Sequence, residues 1–379
     1  MSSNSKPVIH ILGLGSMGTI LALDLLRFTN ATVIPLLRNT EKVEHFKTTA
    51  NNHIGVKKLY LPESPLISLP IEHAESPDSF SGSHIDNIVI TTKTYQTKEA
   101  IQPYLPFIDS KSNLILIQNG LGVLELLQDE IFVHESNRPQ LFQGVISHGV
   151  FQDSGFVFNH AGFAGMKCAR LPWNDAEVIQ SEASVKDDVE NNELVNLLTS
   201  RPFAKEFAVV YTTYQDMLLG QLFKFLVNAC INPVTSIVDA VNGELENSCS
   251  DIFTLIIDET LNVLRVAYKP LFEYEQNYNA KDGYPSLQIN SVLNTENMIK
   301  EVIDIGCVVN AKNSSSMRQD TLYRRDTEID YINGYVVHLA EKYNLGDGAS
   351  KVNLTVKSFI TLRLGINRTR DIIGDKRDI

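Results

Sequence analysis

A chain of 379 residues is too long for one hydrophobic core, so two domains are expected. With 43% hydrophobic and 21% charged residues it has the make-up of a soluble globular protein. Its formal net charge of −12 excludes the basic face of a nucleic-acid binder, while leaving room for an anionic small substrate beside a few local cations.

Cys168, Cys230, Cys249 and Cys307 show no CxxC or Cys/His spacing, so no metal site is expected and the thiols read as small apolar residues in a reducing compartment. The opening residues resemble neither a signal nor a transit peptide, and no apolar run reaches the ~18 residues of a membrane span. A cytoplasmic protein with no membrane partner is expected.

Pro7–Leu12 reads as a short buried strand, followed at once by Gly13, Leu14, Gly15, Ser16, Met17 and Gly18. An apolar-periodic helix then runs from about Ser16 to Phe28. This is the G-x-G-x-x-G pattern in its required setting of strand, tight turn and helix. Gly13 permits the turn, Gly15 admits a pyrophosphate, Gly18 allows close helix–strand packing, and the helix N-terminus offers N–H groups to phosphate.

The second strand, Ala31–Leu37, ends in Arg38. NAD enzymes place an acid here to hold the ribose 2′-hydroxyl. An arginine instead suits a 2′-phosphate and favours NADP(H), the alternative being a solvent-facing guanidinium at a strand end. From His53 to Ser76 the chain predicts short edge strands or loop. Asp86–Lys93 is a strand, followed by a helix near Gln96–Leu105. Ser112–Ile117 is another, followed by Asn119-Gly-Leu-Gly122 and a helix over Val123–Phe132. Ligands of open α/β sheets bind at carboxyl strand ends, which makes Lys93 and Asn119 cofactor-site candidates, with a turn role for Asn119–Gly120 as the alternative. Two β stretches, Leu141–Val150 and Phe156–Leu171, form a hairpin at Asp153-Ser-Gly. Residues 173–193 are acidic and read as a solvated surface insertion. Phe207–Tyr211 closes a first domain of residues 1–210.

Residues 211–379 read as helical. Leu218–Pro233 is apolar nearly all round, yet Gln221, Lys224, Asn228 and Asn232 form one thin polar stripe at about 100° per residue. A buried ammonium costs several kcal/mol without compensation. An ion pair is one explanation, a proton donor the other. Pro233 is expected to end or kink this helix. Ser250–Ala267 is strongly amphipathic and Thr295–Val309 less so. Asn313 and the serines after it cap a helix starting near Met317, and Thr327 caps the next. On that helix Glu328 shares a face with Ile332, Tyr335 and Leu339 and tops a buried stripe.

Taken together, the glycine loop, Arg38, Thr91-Thr-Lys93 with Gln96, and Asn119–Gly122 resemble the ketopantoate reductase (2-dehydropantoate 2-reductase) family. So do Lys224-x3-Asn228-x3-Asn232-Pro233, Asn242-Gly-Glu-Leu245, Asn313–Asp320 and Thr327–Gly334. The resemblance covers essentially the whole chain. It implies an α/β plus all-α fold, with a Rossmann-type domain before a helical domain and the active site in the cleft between them. Lys224 would be the general acid and Glu328 the carboxylate holding the substrate hydroxyl. Asn228, Asn232, Asn242 and Ser316 would bind substrate. Lys93, Gln96, Asn119 and Glu328 would join Arg38 and the glycine loop around NADP(H). The implied reaction is NADPH-dependent reduction of 2-dehydropantoate to (R)-pantoate, on the way to pantothenate and coenzyme A. Leu222 and Gln118 depart from the tryptophan and histidine often found at those places. They keep in view a reductase of another branched 2-oxo acid. A non-catalytic NADPH sensor is the further alternative. A homodimer fits this reading but is not specified by it.

Overall fold

The computed structural model describes residues 6–174 and 177–372. By internal contacts the chain divides into Met1–Gln118 with Leu124–Met217, and Asn119–Val123 with Leu218–Ile379.

The first unit is α/β. Strand β1 (Val8–Leu12) leads into α1 (Ser16–Phe28), β2 (Thr32–Leu36) and α2 (Thr40–Ala50). Then come β3 (His53–Lys58), β4 (Leu66–Pro70), β5 (Asn87–Ile90), a 3-10 turn and α3 (Thr97–Ile101). Next are β6 (Asn113–Leu116), α4 (Val123–Leu126), β7 (Gln140–Ile146), β8 (Gly149–Ser154), β9 (Val157–Gly162) and β10 (Met166–Arg170). Helices α5 (Glu182–Asn191), α6 (Glu193–Thr199) and α7 (Arg201–Phe207) precede β11 (Val209–Tyr211). The main sheet has the order β11-β10-β7-β6-β5-β1-β2. Its pairings are parallel except β7 with β10. From β1 the chain goes out to β2 and returns to β5 on the other side. This switch point puts a crevice at the carboxyl end of β1, beside the glycine loop.

Several expectations change here. The segment predicted as edge strands or loop supplies β3 and β4 to a second sheet, β4-β3-β9-β8, in which β8 and β9 form the predicted hairpin. The helix predicted near Gln96–Leu105 is only α3 flanked by 3-10 turns, because Pro103 and Pro106 cannot continue an α-helix. Nor is the acidic stretch simply a solvated insertion. Asp188 of α5 is buried, accepts from Arg170 Nε at 3.0 Å and from the Tyr211 hydroxyl, and so ties α5 to β10 and β11. Asp175 and Ala176 of that stretch lie outside the described residues.

The second unit is helical: α8 (Tyr214–Val238, its first turn in the first unit), α9 (Ser250–Ala267), and short α10 (Lys269–Phe272), α11 (Tyr274–Tyr278) and α12 (Ile289–Val292). Helices α13 (Thr295–Val302), α14 (Ser316–Leu322), α15 (Asn333–Lys342) and α16 (Lys351–Ile372) complete it. Contrary to expectation, α8 is long and apolar enough to cross a membrane by length and composition. It is a core helix here, with Leu222, Phe225, Leu226, Ala229 and Cys230 buried.

Pro233 does not end α8, which continues to Val238. A proline lacks the N–H that would satisfy the carbonyl four residues earlier, that of Ala229. Asn333 Nδ2 donates to Ala229 O at 3.1 Å and takes that role. Asn333 is itself fully buried and donates to Asn353 Oδ1 at 2.9 Å, and Asn353 donates to Glu259 Oε1 at 2.8 Å. The unbroken helix is therefore held by side chains from α15, α16 and α9.

Candidate active site

In the first unit the glycine loop has the geometry a dinucleotide needs. Gly13 sits at φ +102°, where an L side chain would be strained, and a Cβ on Gly18 would fall 2.1 Å from Gly13 O. A Cβ on Gly15 would meet nothing within 4 Å, so the open side of the loop can accept a pyrophosphate against bare backbone. Ser16 opens the first turn of α1, while Leu14 and Met17 pack partly against the core.

A cavity of about 600 Å³ runs from Gly13 and Leu14 past Thr92 and Gln96 to Arg38 at the end of β2. The residues that follow β2 directly, Leu37, Arg38 and Asn39, include no carboxylate of the kind that holds a ribose 2′-hydroxyl, although Glu75 pairs with Leu36 and Leu37 through its backbone. Glu99, on α3, approaches Arg38 only to 3.9 Å, and both side chains are largely exposed. Lys93 lies beyond β5 and precedes the turn that presents Gln96, but it does not line the cavity. Gln118 has its amide held by Thr92 O at 2.8 Å and Thr97 Oγ1 at 2.7 Å.

In the second unit the polar stripe of α8 exists as read: Gln221, Lys224 and Asn228 are half-buried and Asn232 is buried. Leu222 is fully buried in the core, so this departure from the family pattern does not alter the polar stripe. Burial lowers the Lys224 ammonium to a pKa of about 8, with the Glu328 carboxylate pulling it back upward. Its proton is therefore held less tightly than that of an ordinary lysine.

Glu328 is buried at 6% exposure, but not for the expected reason. Residues 327–339 are not one helix. A 3-10 turn spans Ile329–Tyr331, the chain breaks at Ile332 (φ −118°, ψ −101°), and α15 starts at Asn333. Thr327 caps nothing, since its buried Oγ1 has no hydrogen-bond partner.

Asn242 is buried, and its Oδ1 has no hydrogen-bond partner among the described residues. That leaves an acceptor available to a donor on a ligand. Ser316 is the exposed first residue of α14, whereas its neighbour Ser315 caps the helix and hydrogen-bonds Thr235 Oγ1 at 2.7 Å.

Asn119–Val123 belongs by its contacts to this unit: Leu121 N donates to Tyr331 O at 2.9 Å, and a Cβ on Gly120 would come within 2.6 Å of the same oxygen. Asn119 is thereby fixed beside the segment that carries Glu328.

The cysteines are all free and buried, and Cys230, Cys249 and Cys307, far apart in sequence, lie near enough for burial and one another to push the Cys230 thiol well up. Among the described residues no group of His, Cys, Asp and Glu could hold a metal.

A Rossmann-type unit with an arginine following its second strand, and a helical unit bearing a loosened lysine beside a buried carboxylate, define a nicotinamide-dependent reductase. The ketopantoate reductase PanE/ApbA family model matches residues 9–173, and the model of that family's C-terminal region matches residues 216–349. The chain is 60% identical over 377 residues to the 2-dehydropantoate 2-reductase of Saccharomyces cerevisiae, covering 100% of each. It is 26% identical to that of Vibrio cholerae over 74% of this chain and 81% of the relative. Among solved structures, 2-dehydropantoate 2-reductase from Methylococcus capsulatus superposes with a TM-score of 0.67 at 13% identity, covering 95% of this chain and 97% of the other. D-mandelate dehydrogenase with NADH and anilino(oxo)acetate gives 0.70 at 17%, covering 95% and 99%. The protein belongs to the ketopantoate reductase family.

Proposed function

We propose that the protein is a 2-dehydropantoate 2-reductase that reduces the 2-oxo group of ketopantoate to the hydroxyl of (R)-pantoate, using NADPH. The observation that carries this is Lys224, a lysine with its proton loosened by burial, placed beside Glu328 in a chain 60% identical throughout to a reductase of that name. NADPH, when bound, supplies hydride. Gly13–Gly18 would hold its pyrophosphate and Arg38 its 2′-phosphate, with Gln96 along the cavity and Lys93 and Asn119 toward the nicotinamide.

As C2 of the substrate is reduced, negative charge grows on its carbonyl oxygen. The Lys224 ammonium stabilises that charge and delivers its proton to the oxygen. Glu328, an acceptor, holds the substrate's 4-hydroxyl. Asn228, Asn232 and Asn242 supply neutral contacts that do not compete for the proton, and Ser316 with neighbouring N–H groups takes the carboxylate. The cytoplasm is the proposed site of action, with the product entering pantothenate and coenzyme A synthesis.

Purified protein with NADPH and ketopantoate should consume the nicotinamide absorbance. No turnover would refute the reading, and faster turnover of another branched 2-oxo acid would reassign the substrate.

A further inference from the structure

Beyond Arg38, a lysine and a histidine reach the cavity, both from α2. Lys42 and His45 are three residues apart and therefore share a face of that helix, which follows Arg38 directly. Both are exposed, and both line the cavity. The Thr49 hydroxyl lies 3.1 Å from His45 Nδ1, which leaves Nε2 for a ligand.

The β8–β9 hairpin also lines the cavity, through Gln152, Gly155 and Phe156. Phe156 is anchored edge-on to buried Phe46 of α2, with ring centroids 4.6 Å apart, and stands 6.0 Å from the His45 ring. Hairpin and helix thus both border the cavity. Among the residues lining the cavity, three basic side chains stand against one acid, Glu99. Such an excess suits a dianion rather than a hydroxyl, and it stands where the strand order places a ribose 2′ substituent.

We propose that Lys42 and His45 act with Arg38 as a clamp on the cofactor's 2′-phosphate, with the β8–β9 hairpin as its outer wall. Discrimination between NADP(H) and NAD(H) is then set by α2 as well as by the end of β2. This inference rests on the NADP(H) reading above and assigns it two further specificity-determining residues. Arg38 supplies a planar fork, Lys42 a point charge and His45 a directed N–H, three donors of different geometry around one phosphate.

The test is calorimetric titration of the full chain with 2′,5′-ADP and with 5′-AMP, ligands that differ by the 2′-phosphate alone. Wild type is expected to bind 2′,5′-ADP the more tightly. Lys42→Ala and His45→Ala should each weaken 2′,5′-ADP by about tenfold, the usual loss for a charge-assisted hydrogen bond, and change 5′-AMP by less than about twofold. Equal losses on both ligands would overturn the clamp and put these residues on the adenosine. Wild-type discrimination in both variants would overturn it outright while leaving the NADP(H) reading intact. Failure of wild type itself to prefer 2′,5′-ADP would instead remove the NADP(H) reading, and the clamp with it.

Discussion

Lys58 in the first unit and Lys224 in the second each stand near a buried carboxylate, and the two are treated differently. Lys58 of β3 is 3% exposed and closes directly on Asp24 of α1, with Nζ 3.4 Å from Oδ2. Burial pushes the Asp24 carboxyl upward even though Lys58 and Arg27 both draw it down. Lys224 of α8 keeps more of its surface accessible, and burial outweighs Glu328 enough to bring its pKa to about 8. A cation sealed onto its own carboxylate can only hold β3 to α1. A cation whose proton is loosened, on a helix face lined with asparagines, can hand that proton on. A structural buried charge and the proposed catalytic one thus differ in how firmly the proton is held, a distinction that neither burial nor residue type makes alone.

Exchanging the two roles by mutation tests this. Lys224→Ala should lower kcat by about 10²- to 10⁴-fold, the range for losing a positioned general acid. Binding of 2′,5′-ADP should hardly move. Lys58→Ala should do the reverse. It strands Asp24 in the core at a cost of about 3 kcal/mol in unfolding free energy, typical of breaking a buried pair, while kcat stays near wild type. Denaturant unfolding and steady-state kinetics on both variants check the exchange. A Lys224→Ala enzyme of normal kcat would remove the acid, and a fully stable Lys58→Ala protein would show that its pair contributes little.

The pH profile sharpens the same contrast. In the proposed mechanism Lys224 acts in its protonated form, so kcat/KM should be level below about pH 8 and fall as pH rises through that value. Glu328 raises the lysine's affinity for its proton, and its removal in Glu328→Gln should move the falling limb to lower pH. Because Glu328 also contacts substrate in the proposed mechanism, the position of the limb is the diagnostic, not the absolute rate. A limb left in place would uncouple the two residues.

What was legible in the sequence follows the range of the forces involved. The glycine loop could be read directly because each glycine answers a local steric demand, as the 2.1 Å approach at Gly18 shows. The stripe of α8 could be read because periodicity within one helix is local too. Asp188 could not: only tertiary contact brings Arg170 and Tyr211 to it, and a run of acids looks the same whether solvated or paired. Glu328 is buried as expected, yet the single helix that justified the expectation is interrupted at Ile332. Lys42 and His45 left a trace, two basic residues at helical spacing just after Arg38, but without the hairpin that also lines the cavity they resemble any solvated face. Three cysteines separated by many residues gave no sign that they would meet.

Pro233 shows the same limit most plainly, and it gives the smallest effect to test. Proline inside a helical pattern predicts an end or a kink, and α8 continues past it, with Asn333 satisfying the Ala229 carbonyl. In Pro233→Ala the restored backbone N–H can serve that carbonyl instead, so Asn333 should matter less in that background. Asn333→Ala alone should destabilise by about 1–2 kcal/mol, the range for a buried hydrogen bond whose partner is stranded. The double variant should lose less than the sum, with a coupling of about 1 kcal/mol from a cycle of unfolding measurements. The bond to Asn353 is lost in either background, which keeps the coupling below the full effect of Asn333. If the helix through Pro233 is what presents Lys224 and Asn228, then Asn333→Ala should also move the alkaline limb of kcat/KM, and Pro233→Ala should restore it. Strictly additive losses with an unmoved limb would show that α8 stays in place without this bond.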